Sequence, residues 1–92
     1  MSTLNVSPTD VSADIRQFVV GNFLFGEGES LRNDDSFLET GIIDSTGVLE
    51  LVGYLGKQFG ITVEDHELVP ENLDSVTQVA SYVCRKLQLN AT

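Results

Sequence analysis

Apolar residues recur at intervals of three and four in three separated stretches of this chain, and that spacing commits it to helices. Between Pro8 and Phe23 they fall at Val11, Ile15, Phe18, Val19 and Phe23. Between Ser45 and Phe59 they fall at Val48, Leu49, Val52, Leu55 and Phe59, and after Ser75 at Val76, Val79, Ala80, Val83 and Leu87. Each set lies on one face of a 3.6-residue helix. The punctuation agrees with this reading. Ser7 or Thr9 can accept backbone N–H bonds where the first helix starts, and Asp10 and Asp14 lie near the positive end of its dipole. Gly60 follows the second helix in a stop position. Ser75 and Gln78 make the Ser-x-x-Gln capping-box pattern at the start of the last helix, where Arg85 and Lys86 complement the dipole at the far end. Residues 68–73 suit a short helix with Pro70 in its first turn. Ile61, Thr62 and Val63 form a lone β-like run without a partner strand and read as an extended connector.

The expected fold is therefore all-α: a small bundle of three main helices plus one short helix, with a long loop between the first two main helices. A chain of 92 residues fits one domain over 1–92, with a core over about 8–88 and flexible termini. Such a chain buries roughly 60–68% of its unfolded surface. The loop, residues 24–44, contains Gly26, Gly28 and Gly41 with an acidic run between them. Loops this long are uncommon and often functional. Ser36, Phe37 and Leu38 are placed for a single helical turn inside it, with Phe37, Leu38, Ile42 and Ile43 anchoring it to the core. The second main helix carries Gly47, Gly53 and Gly56, each costing about 0.8–1 kcal/mol relative to alanine. Either tertiary packing holds that helix, or the glycines admit a close backbone or ligand.

Charge and side-chain chemistry narrow the function. Fourteen acids against five bases give a net charge of −9, which repels nucleic-acid phosphates and anionic lipid and favours partners with basic surfaces. No run approaches the ~20 apolar residues that cross a bilayer, so membrane insertion is not expected. The opening MSTLNVSPTD lacks the basic and apolar regions of a secretory signal, and a cytoplasmic address and a monomer are expected. Cys84 is the only cysteine and reads as a buried apolar residue on a helix. His66, the only histidine, sits in a polar acidic stretch with nothing to suggest a triad. Glu64, Asp65, Glu67 and Glu71 lack the order of a calcium loop, and no phosphate-cradling glycine motif follows a strand. Neither catalytic residues nor metal ligands are expected.

One serine remains to be explained. Asp-Ser occurs at 35–36, 44–45 and 74–75, and each serine has a sufficient role as a helix cap. Ser45 differs in context, because it joins the end of the long loop to the start of the glycine-containing helix. A phosphate ester there would meet unpaired backbone N–H groups and the positive end of the helix dipole. From the residues alone, cap and phosphate-bearing position both stay open.

The stretches DSFLETGIIDSTGVLELVGYLGKQFGI (35–61) and VPENLDSVTQVASYV (69–83) resemble the acyl carrier protein superfamily. The resemblance covers nearly the whole chain, including the helix order and the long first loop. It implies a non-catalytic, stand-alone carrier in which Ser45 receives 4′-phosphopantetheine from coenzyme A, and the arm's thiol holds an acyl or aminoacyl thioester. Asp44 corresponds to the family's acidic residue that assists recognition and metal-dependent loading by a phosphopantetheinyl transferase. The other partners implied are an acyl- or aminoacyl-adenylate-forming ligase and a downstream transferase or synthase. Familiar fatty-acid carriers follow the serine with leucine and a strongly acidic helix. Here Thr46 and Gly47 follow, and the helix holds only Glu50 balanced by Lys57. That looks closer to D-alanyl, aminoacyl and peptidyl carriers, or to specialised acyl carriers of secondary metabolism. Partner contacts are expected at Thr46, Gly47, Val48, Leu49, Glu50 and Val52, those around Thr46, Val48, Leu49 and Val52 being more apolar than in a housekeeping fatty-acid carrier. The interior either shelters a short acyl chain or is filled by Phe18, Phe37 and Phe59, and the helix glycines suggest close packing with little sequestration of long chains. Two competing readings are an acidic helical adaptor in which Ser45 is only a cap, and a minimal hydrolase using Ser45 and His66.

Overall fold

Five helices carry the apolar spacing in a computed structural model that describes residues 8–26 and 31–91. They are α1 (Pro8–Phe23), α2 (Phe37–Thr40), α3 (Ser45–Phe59), α4 (Pro70–Leu73) and α5 (Val76–Ala91), with a 3₁₀ turn at Asp65–Glu67. The fold is all-α, and α1, α3 and α5 are the three main helices expected. The helical turn expected inside the long connection is α2, and Pro70 stands at the first position of α4, where its missing N–H costs nothing. The 3₁₀ turn has no counterpart in the sequence reading. Ser7, Gly28 and the side chain of Thr9 lie outside the described residues.

The core is built from one face of each main helix. Val11, Ile15 and Val19 of α1, Leu51 and Leu55 of α3, and Val76, Val79, Ala80 and Val83 of α5 are buried together in one cluster. The backbones of α1 and α5 run close together along their lengths. Between α1 and α3 the seam is aromatic: Phe18 stacks on Tyr54 at 4.1 Å, and the Tyr54 hydroxyl donates to the Asp14 carbonyl at 3.1 Å. Burial of that hydroxyl, and then the Asp14 carboxylate, raise the Tyr54 pKa. Phe18 and Phe59 are only half-buried on this seam, so of the three aromatic residues expected to fill the interior, Phe37 alone does so. Cys84 is likewise half-buried against the core and not enclosed by it.

The connection before α3 is strapped down by α1 and by α5. Arg16 donates to the Leu31 carbonyl at 2.7 Å and to Asn33 Oδ1 at 3.0 Å, while Thr77 N–H reaches the Asn33 carbonyl at 2.9 Å. Leu31, Phe37 and Ile43 are the buried anchors. Leu38, expected among them, is half-exposed because α2 presents Phe37 inward and the next residue outward. After α3, Glu67 ties the 3₁₀ turn to α5. Its carboxylate accepts from Glu64 N–H at 2.9 Å, the Tyr82 hydroxyl at 2.8 Å and Lys86 Nζ at 3.0 Å. Those donors, the Glu64 backbone foremost, lower its pKa from 4.5 to about 2.

Candidate functional site at the start of α3

The site begins with two buried side chains that fix the chain's approach to α3. Phe37 and Ile43 are fully buried and are joined by Ile43 N–H donating to the Phe37 carbonyl at 3.3 Å. Gly41, with φ of 77°, turns the chain between them. With Ile43 held inward, Asp44 is placed at the helix entrance in an extended conformation and caps it: Oδ1 accepts from Gly47 N–H at 2.8 Å. Ser45 therefore occupies the first helical position and is not the cap, which corrects the reading that made it one. The N–H groups of Ser45 and Thr46, in the first turn, have no acceptor within the helix.

The three Asp-Ser pairs now separate. Ser36 caps α2, accepting from Glu39 N–H at 3.1 Å, and its hydroxyl donates to Asp74 Oδ2. Ser75 is buried and caps α5, accepting from Gln78 N–H at 3.1 Å. The Gln78 side chain does not return to the Ser75 backbone but accepts from its hydroxyl at 3.4 Å, so only half of the expected capping box forms. Ser45 is exposed, and its hydroxyl makes no hydrogen bond among the described residues.

A close approach holds α3 at this end. A Cβ on Gly47 would stand 2.9 Å from Ile43 Cγ2 and 2.9 Å from Phe23 Cε1. Gly47, expected among the contact residues, is thus buried beneath the site. Gly56 meets only the Ile61 carbonyl at ordinary distance, and nothing near Gly53 explains its lack of a side chain.

Beside Ser45 runs an apolar groove of about 340 Å³ between α3 and the α2 and α4 segments. Val48 and Leu49 line it with Leu38, Leu68, Val69 and Pro70. Leu49 is 64% exposed and Leu38 50%, so the groove is open to water. Of the other expected contact residues, Thr46 is exposed and Val52 half-buried, while Glu50 faces a depression on the α1 side with Phe18 and Lys57. The α4 wall was missed because it lies some 20 residues from Ser45 in sequence. The apolar run Leu68-Val69-Pro70, too short to make a helical face, was the available signal. His66 is exposed in the 3₁₀ turn, does not line the groove and has no hydrogen bond to Ser45. Among the described residues no cluster of three His, Cys, Asp or Glu could hold a metal ion.

Residues 24–83 match the family model described as the phosphopantetheine attachment site. The chain belongs to this family of phosphopantetheine carriers. Such domains bind a 4′-phosphopantetheine prosthetic group and present it to partner enzymes without themselves being catalysts. The chain is also similar to a solved chain from a structure described as "Crystal structure of FAD-dependent dehydrogenase". It is 28% identical with a TM-score of 0.68, and the likeness covers 75% of this chain and 97% of that one. No curated protein matches the chain. The arrangement at α3 suits the prosthetic group: an unbonded hydroxyl at the surface, free helix-start amides for a phosphate, and an apolar groove alongside. Among the described residues no helix is long and apolar enough to cross a membrane.

Proposed function

We propose that Ser45 carries the 4′-phosphopantetheine arm and that the protein conveys an amino acid or a specialised acyl group between cytoplasmic enzymes. The observation that carries this reading is the contrast among the serines: two hydroxyls are spent on capping, and Ser45 alone of the three is exposed and unbonded. In loading, Ser45 Oγ bonds to the phosphorus bearing pantetheine in coenzyme A. The phosphoanhydride bond breaks, 3′,5′-ADP leaves, and the hydroxyl proton passes to the transferase. The bound arm supplies the thiol on which cargo is held as a thioester.

Asp44 has two parts in this reading. Through Oδ1 it caps α3 and so sets Ser45 outward; its Oδ2, without a hydrogen bond among the described residues, is left to assist the metal-dependent transferase. The exposed leucines at 38, 49 and 68 favour an adenylate-forming ligase that docks through apolar contacts, supplemented by Thr46, Val48 and Val52. An open groove suits small cargo resting at the surface better than a long chain sealed away. The similarity to the solved chain from an FAD-dependent dehydrogenase structure adds a flavin dehydrogenase to the downstream partners worth testing; loss of two hydrogens from the tethered acyl group would mark it.

The test is intact mass and peptide mapping after incubation with coenzyme A, magnesium ion and a broad-specificity phosphopantetheinyl transferase. One phosphopantetheinyl group on the Ser45 peptide, absent from Ser45→Ala, is expected. A folded protein that accepts none from several transferases would sink the assignment.

A further inference from the structure

Phe25 stands out from every other large apolar residue described. It is 86% exposed, and it is the one described non-glycine residue with left-handed backbone, at φ 53°. A bulky side chain in that region is strained, and water contact gives an aromatic ring nothing in return. The conformation is held from behind, since Leu24 N–H and Gly26 N–H both donate to the Val20 carbonyl, at 3.2 and 2.9 Å. Gly26, at φ 86°, is the residue type that accommodates such a turn without cost, yet the phenylalanine precedes it.

Its place relative to Ser45 follows from Phe23. The Phe23 ring edge lies 2.9 Å from where a Gly47 Cβ would stand, so the end of α1 abuts the first turn of α3. Two further residues reach at most roughly 7 Å. Phe25 therefore lies at the same end of the bundle as Ser45, with its ring in water. The connection that leaves it carries exposed carboxylates at Asp34, Glu39 and Asp44, whereas α3 is balanced between Glu50 and Lys57.

We propose that Phe25 is a docking anchor for the phosphopantetheinyl transferase that loads Ser45, taken up by an apolar, aromatic-accepting pocket rimmed with basic residues. The proposal rests on Ser45 being the loaded residue. Enzymes that work at the end of the arm can stand off from the bundle, but one that acts on Ser45 Oγ must close directly over it. A standard interface covers about 800 Å² on each partner, enough to take in the end of α1. Buried aromatic anchors dominate such interfaces, and the acidic connection complements a basic rim.

The experiment compares KM and kcat for loading of wild-type protein, Phe25→Gly and Phe25→Trp, with Tm for each. Phe25→Gly should raise KM about tenfold with kcat unchanged, while Tm holds or rises because glycine adopts this φ without strain. Phe25→Trp should keep a KM near wild type. Loading of Phe25→Gly with a wild-type KM overturns the proposal, as does a rise in KM that Phe25→Trp shares. Failure of the wild-type protein to load at all overturns the Ser45 assignment as well, so the two failures are distinct.

Discussion

Asp44-Ser45 and Asp74-Ser75 are the same dipeptide at the start of two helices, and they do opposite things. At α5 the serine caps and the aspartate before it turns outward to hold α2, accepting from Leu38 N–H at 3.0 Å and from the Ser36 hydroxyl. At α3 the aspartate caps and the serine moves one position into the helix, where its hydroxyl has nothing to bond. One residue of register thus converts a structural hydroxyl into an available one. An available serine hydroxyl is thus left by its neighbour: Asp44 takes over the helix end so that Ser45 need not.

The sharpest way to break this comparison is to truncate both serines. Ser45→Ala should abolish phosphopantetheinylation in a mass assay while leaving stability nearly unchanged. Ser75→Ala should load normally but lose about 0.5–2 kcal/mol in denaturant unfolding. If Ser45→Ala loses stability on that scale, the hydroxyl is structural after all.

Asp44 can be divided next. Asp44→Ala removes the cap, and a loss of about 0.5–2 kcal/mol with slowed loading is expected. Asn caps as well as Asp, so Asp44→Asn should keep stability and still load slowly. Restored loading in Asp44→Asn would mean that capping is the aspartate's entire contribution.

The seat of the helix offers a smaller effect. In Gly47→Ala, contacts of 2.9 Å to Ile43 and Phe23 must relax, at about 1–3 kcal/mol for overpacking, less about 1 kcal/mol gained in helix propensity. Gly53→Ala meets nothing within 4 Å and should gain about 0.8–1 kcal/mol. Equal outcomes at the two glycines would show that α3 is not pinned at its start.

The smallest effect is a pH slope that belongs to neither serine. The Glu67 carboxyl, ordinarily at 4.5, is held down to about 2 in the folded protein. The unfolded chain therefore binds the extra proton first, so this contribution is full above pH 4.5 and is lost as pH falls toward 2. Glu67→Gln should flatten Tm against pH in that window without altering loading at neutral pH.

Helical spacing, the Pro70 start and the Gly60 stop make nearly all of the architecture legible in the sequence, since each acts through neighbours within one turn. The register of Asp44 and Ser45 is not legible in that way. Aspartate and serine cap about equally well, and the choice is made by Ile43, whose burial against distant residues decides which of them stands at the entrance. The groove shares this difficulty, because Leu68, Val69 and Pro70 reach Ser45 only through folding. Glu67's tie to Tyr82 and Lys86 spans 15 and 19 residues and has no local mark.

The pairing of α1 with α5 has a consequence in time. Residues that build the Ser45 site are made early, but the helix against which α1 packs is made after all of them. While α5 is still within the ribosome, Val11, Ile15 and Val19 lack their main cover, and Thr77 is not yet there to hold Asn33. The start of α3 and the connection leading into it therefore gain their full support only once α5 has emerged.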